Sequence, residues 1–183
     1  MPSFRPSTPW RYSTPAIVLH WLLAALVVFM AGLGWWMMTV EHEPGGRAWI
    51  DLHQSIGLLV AALVLLRIVW RLFHRPEPLP VGVPAWQRKV AHAVQWLLYA
   101  AMVLVPITGI VGSLYSRPGL HFFGPSTHAG ILPVRDTAKA FFGWHEDLVW
   151  VMVILLVLHL LAGLKHLLYD RDGVFQRMWP LRR

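Results

Sequence analysis

From Leu148 to Leu164 the chain carries no charged side chain, and its only titratable group there is the imidazole of His159. A run this long and this apolar forms a helix either inside a large core or across a bilayer. Three more runs of the same kind precede it, at about Pro15–Met38, Ser55–Leu72 and Val90–Leu114, and the last extends to Tyr169. Each is close to the roughly 20 residues that span a hydrocarbon core. A single domain of 183 residues cannot hide four such helices from water, because none has the polar outer face a soluble bundle requires. The expected fold class is therefore an all-α membrane protein. It is a four-transmembrane-helix bundle in one domain over residues 1–183, with helices at about 15–38, 50–72, 88–114 and 145–169. A mean hydropathy of +0.51, 56% apolar residues and 11 Trp agree with that class.

The net charge of +7 raises nucleic acid as a partner, but its distribution points to the membrane instead. The N-terminal segment, the second connection and the C-terminal segment together hold 12 of the Lys and Arg, from Arg5 to Arg183, against Glu77, Asp170 and Asp172. The first and third connections hold Arg47, Arg117, Arg135 and Lys139 against six acids. By the positive-inside rule both termini face the cytoplasm. The basic excess reads as a topology signal and a surface for anionic membrane lipid, not as a nucleic-acid footprint. Cysteine is absent, which removes disulfides, thiolate metal sites, iron–sulfur clusters and covalent haem attachment. The first apolar run exceeds the usual signal-peptide core and contains His20, so it reads as a retained helix.

Histidines carry the chemistry. His145 and His159 are 14 residues apart, which on a helix returns to within about 40° and rises about 21 Å. His166 follows seven residues later, about 20° off that direction. Topology sorts the others by depth. His53 opens helix two at the outer end, level with His145, and His20 lies at the inner end of helix one, level with His159. Two pairs at two depths result, His53 with His145 and His20 with His159. Gly57 stands at i+4 from His53, and Ala24, Ala31 and Gly34 share the His20 face, leaving space for something flat. Facing neutral imidazoles with small neighbours suit bis-histidine haem b. Zinc would want four ligands converging on one point. A proton relay explains histidines in a membrane but not their pairing by depth.

Taking His166 instead of His159 as the inner ligand would set the two sites about 31 Å apart along the axis, at the membrane surfaces. The His159 choice keeps them near 21 Å, which suits electron hopping. Arg67 and Arg71, at the inner end of helix two, either hold haem propionates or anchor the helix in the interface. Six-coordinate iron has no open position, so electron transfer is the expected chemistry. His42, His74 and His121 read as interfacial. The connection from Tyr115 to Phe142 is long enough to have a function of its own. The inner connection, His74–Trp86, contains Pro76, Pro78, Pro80 and Pro84 and cannot be helical.

These stretches resemble the bacterial cytochrome b-561 family over nearly the whole chain. The resemblance rests on YSTPAIVLHW at Tyr12–Trp21, His53 with Gly57 and Arg67, and AHAVQWLLYAAMVLVPITG at Ala91–Gly109. It also rests on HAG at His128–Gly130, HE at His145–Glu146, and the His159 and His166 positions. Gln95 stands where an A-H-x-x-H pattern would put a second histidine, which leaves a helix-three ligand without support. The resemblance implies an inner-membrane protein with two non-covalent b haems that carries electrons from a periplasmic donor to ubiquinone. Members similar to this chain oxidise superoxide at the outer face. Arg117, Arg135, Lys139, His121 and His128 in the long outer connection are either a patch that steers that anion or scattered loop charges. His166, beyond His159 near the cytoplasmic surface, is a candidate quinone contact or proton donor. The competing expectation is an electron-transfer subunit for a periplasmic redox partner such as a dehydrogenase. A non-redox metal or proton transporter is the third.

Overall fold

A computed structural model describes residues 10–79, 82–129 and 131–181. Arg5, Pro80, Gly130, Arg182 and Arg183, which entered the charge and motif arguments, lie outside the described residues. Four helices long and apolar enough to cross a membrane make up the body. They are α1 (Thr14–Val40), α2 (Gly46–Phe73), α3 (Ala85–Tyr115) and α4 (Arg135–Lys165). A π-helical turn, His166–Asp170, and a 3₁₀ turn, Phe175–Met178, follow α4.

The helices alternate in direction, so the described residues before α1 and after α4 lie at one end of the bundle. There the Tyr12 amide donates to the Arg177 carbonyl at 3.1 Å. At the opposite end a two-stranded antiparallel hairpin, β1 (Leu120–His121) with β2 (Ser126–Thr127), sits in the third connection. These are called the terminal end and the hairpin end. Backbones approach closely along the α1–α2, α2–α3 and α3–α4 seams. Helix α4 meets α1 and α2 through side chains instead.

The α3–α4 seam is close because of its glycines. A methyl group at Gly112 would stand 2.8 Å from the Phe142 ring, so only glycine admits that ring. A middle layer of Leu23, Val64, Ala101, Met152 and Leu155 is buried, between the levels of the two ends. Outward-facing Leu, Val, Phe and Trp are exposed along all four helices, as lipid-facing side chains are.

Two boundaries differ from expectation. Helix α4 begins at Arg135, not near 145, and α2 begins at Gly46. Both early turns are polar, so an apolar-run criterion passes over them. Asp136 in the first turn of α4 favours the helix start through the macrodipole. The long connection is correspondingly shorter, and Arg135 and Lys139 are helical residues. At the start of α1 Ser13 is the N-cap position but makes no side-chain cap; its Oγ accepts from Trp70 Nε1 at 3.1 Å.

Candidate electron-transfer site

Helix α4 presents His145 near the hairpin end and His159 near the terminal end. Helix α2 brings His53 to His145, with ring centres 6.2 Å apart and planes at 82°. Helix α1 brings His20 to His159, with ring centres 6.1 Å apart and planes at 72°. All four rings are half-buried. The structure thus assembles the two pairs expected from depth, using three helices. A first-row metal binds an imidazole nitrogen at about 2 Å, and that nitrogen lies about 1 Å from its ring centre. Two imidazoles on opposite sides of one metal therefore have centres about 6 Å apart. The observed separations fit that requirement.

Hydrogen bonding at the hairpin end fits as well. His145 Nδ1 donates to the Val105 carbonyl at 2.8 Å, with Thr108 Oγ1 3.4 Å away. A metal-binding histidine characteristically gives its other ring N–H to such an acceptor, which fixes the tautomer and leaves Nε2 as ligand. His53 Nδ1 is buried without a hydrogen-bond partner among the described residues. Glycines give both rings their space. A methyl at Gly34 would lie 3.3 Å from His53 Cε1, and one at Gly109 would lie 3.1 Å from His145 Cε1 and Nδ1. Gly57, expected beside the cofactor, faces Met30 of α1 instead, with a methyl there 3.5 Å from Met30 Cε.

At the terminal end Arg67 lies beside His20. Its Nη2 is 3.3 Å from His20 Nδ1, and its Nη1 donates to the Ala16 carbonyl at 3.1 Å. A guanidinium only donates, so Nδ1 is the acceptor in that contact. Arg71 donates to Gln95 Oε1 at 3.0 Å and lies over the Tyr99 ring. Gln95, which stands where the A-H-x-x-H pattern would put a histidine, is thus the partner of an arginine. Arg67 bonds to α1 and Arg71 to α3, so both turn into the bundle end and do not reach outward as simple interface anchors would.

His166 directly follows α4 and opens the π-helical turn, with Nδ1 2.7 Å from Asp172 and 3.3 Å from Asp170. It does not join either imidazole pair. His42 is exposed beside Glu41, and His74 is stacked on Trp70. His121 is not a plain interfacial residue. It packs on α2, with Arg47 Nη2 3.3 Å and Asp51 Oδ1 3.5 Å from its Nδ1. His128 Nε2 holds the carbonyls of Ser116 and Arg117 at 3.1 and 3.0 Å. The five basic groups of the outer patch are therefore divided between a tied hairpin loop and the start of α4.

Sequence reasoning gave no role to the C-terminal segment beyond its charge. In the structure it closes the terminal end. Trp21 Nε1 donates to the Met178 carbonyl at 2.7 Å, and Arg11 donates to the Trp179 carbonyl. Arg177 Nη1 donates to the carbonyls of Glu77 and Pro78 at 3.2 and 3.0 Å. Only the aromatic content of the tail hinted at this, because the acceptors are backbone carbonyls.

Comparison with known proteins adds three facts. The family model described as prokaryotic cytochrome b561 matches residues 11–181. Cytochrome b561 homolog 2 of Escherichia coli K12 is 34% identical over 181 residues, covering 94% of this chain and 93% of that protein. Yersinia pestis has a protein named "Probable superoxide oxidase CybB" that is 28% identical over 188 residues, covering 94% of this chain and 98% of its own.

Proposed function

The chain belongs to the prokaryotic cytochrome b561 family, membrane cytochromes that bind haem b, and on that premise we propose that it is a dihaem electron carrier of the bacterial inner membrane. In this reading it takes electrons from a donor at the hairpin end, superoxide by preference, and delivers them to ubiquinone at the terminal end. The observation that carries the proposal is the pair of imidazole pairs, one at each end, with ring centres 6.1 and 6.2 Å apart. His53 with His145 and His20 with His159 would each hold one haem b. Haem b held by such pairs would supply reversible one-electron transfer.

The chain's own groups have definite tasks in this reading. Val105 fixes the His145 tautomer, and Gly34 and Gly109 leave room for the rings. Ligation through His20 Nε2 would call for the ring proton on Nδ1, and Arg67 would then release its contact there. Its fork is then available to a propionate, as is that of Arg71. The excess of Lys and Arg at the terminal end supports placing that end in the cytoplasm and the hairpin end in the periplasm. Quinone reduction takes two electrons and two protons, and a one-electron donor is matched to it by storage at two sites. His166, beyond His159 at the terminal end, is the proton donor to the quinone.

The preference for superoxide over a docked redox protein comes from the relative named as a superoxide oxidase, which matches along nearly its whole length. The purified protein should be reduced by enzymatically generated superoxide and reoxidised by a soluble ubiquinone. If it stays oxidised under superoxide and accepts electrons only from a purified redox partner, the donor assignment fails. His166→Ala should keep its full haem content and slow quinone reduction; loss of a haem in that variant would remove His166 from the proton path.

A further inference from the structure

The chain departs from α geometry immediately after α4. His166–Asp170 forms a π-helical turn, and Arg171 then adopts a left-handed conformation at φ 50° and ψ 35°. π-Turns concentrate at functional sites, and a left-handed non-glycine residue costs free energy that its surroundings must offset. Arg171 Nε donates to the Leu168 carbonyl at 3.2 Å, which helps hold the bend. The bend turns the chain back, so that Asp172 reaches the ring of His166.

Two carboxylates face that ring, and they are not equivalent. Asp172 Oδ2 lies 2.7 Å from His166 Nδ1, while its Oδ1 accepts from the Val174 amide at 3.1 Å. Both oxygens of Asp172 are thus fixed. Asp170 Oδ2 is further from Nδ1, at 3.3 Å, and carries the Lys165 ammonium. His166 is 12% exposed, and its Nε2 makes no hydrogen bond among the described residues. With Nδ1–H committed to a carboxylate, Nε2 is the position left for exchange.

We infer that Asp172 is a positioning residue for His166: it holds the ring in the Nδ1–H form and so presents Nε2 to a quinone-class carbonyl oxygen. This rests on the reading of His166 as proton donor to the quinone. In the step, the Nε2–H bond of the imidazolium breaks and the proton forms an O–H bond on the quinone. The ring returns to the neutral Nδ1–H form, still bonded to Asp172, and Nε2 takes a new proton from solvent hydronium, which is left as water. Two such transfers, with two electrons delivered through the chain from its one-electron donor, convert quinone to quinol.

The same three residues place ligand atoms within 4.8 Å of one another, as a cation site would. Lys165 already occupies Asp170, so the geometry favours positioning over metal binding.

The full-length, haem-loaded protein in lipid nanodiscs tests this, with reoxidation by a soluble ubiquinone followed by stopped flow. His166→Ala should slow turnover by about 100-fold, the scale of general acid catalysis. Asp172→Asn offers an amide N–H to Nδ1 and favours the opposite tautomer. It should slow turnover by about tenfold or more, within that same scale, at little-changed KM. Asp172→Glu should recover most of the rate, and the double variant should match His166→Ala alone. ¹⁵N-histidine NMR should place the His166 proton on Nδ1 in the parent and move it to Nε2 in Asp172→Asn.

A slow His166→Ala beside an unaffected Asp172→Asn overturns the inference and leaves the quinone reading standing. A full-rate His166→Ala overturns both. A double variant slower than His166→Ala, haem loss in Asp172→Asn, or activity that a chelator abolishes and a divalent cation restores each overturns the positioning role.

Discussion

A methyl group at position 109 would stand 3.1 Å from two atoms of the His145 ring. That ring is also tied to Val105 at 2.8 Å, so it cannot slide away without lengthening a hydrogen bond. Gly109→Ala should therefore displace His145 and lower the haem content at the hairpin end, leaving the terminal-end haem in place. Gly57→Ala should keep full haem content, because its methyl meets Met30 Cε at an ordinary 3.5 Å. Haem-to-protein ratios of the two purified variants check this, and equal ratios would contradict it. Position in sequence misleads here for a definite reason. Gly34 shares the His20 face by helical angle, but a helix face runs the depth of the membrane. At i+14 the glycine is about 21 Å further along and stands against His53 instead.

Among the elements, the hairpin is held to α2 by polar contacts. Ser55 is 2% exposed; its Oγ donates to the Asp51 carbonyl at 2.7 Å and accepts the Phe123 amide at 2.9 Å. One residue earlier on α2, Gln54 Oε1 accepts the His121 amide at 2.8 Å. Ser55→Ala leaves the Phe123 amide unpaired, a loss of about 1–3 kcal/mol. Amide exchange over residues 120–127 should accelerate while α2 stays protected. Unchanged exchange in the hairpin would show that the clasp does not depend on Ser55. The hydrophobic stretches of the helices were legible in the sequence, because a bilayer demands them. The polar first turns of α4 and the hairpin were not. They lie at the margin of the apolar spans, where capping, charge and local turns decide structure and leave weaker patterns.

For the whole molecule, α4 ties the two ends together. It provides one imidazole to each pair, while α1 and α2 provide the partners at opposite depths. That arrangement was readable from helical period and hydropathy, since antiparallel helices fix which residues share a depth. The closure of the terminal end by the C-terminal segment was not readable, because the contacts of Trp21 and Arg177 end on backbone carbonyls. The proposed orientation has a direct check. The chain contains no cysteine, so a single cysteine can be introduced at Ser126 in the hairpin or at Leu181 in the tail. In intact cells whose outer membrane passes the reagent, an impermeant maleimide should label the hairpin position and spare the tail. The reverse pattern would invert the proposed direction of electron flow.

The central claim is that two imidazole pairs each hold a haem b. A reduced-minus-oxidised spectrum with haem quantitation tests it most directly, on the parent protein and on His53→Ala and His159→Ala. Two b haems per chain are expected in the parent. Each variant should lose one, His53→Ala at the hairpin end and His159→Ala at the terminal end, with different spectral components remaining. One haem or none in the parent, or two retained in either variant, would contradict the claim.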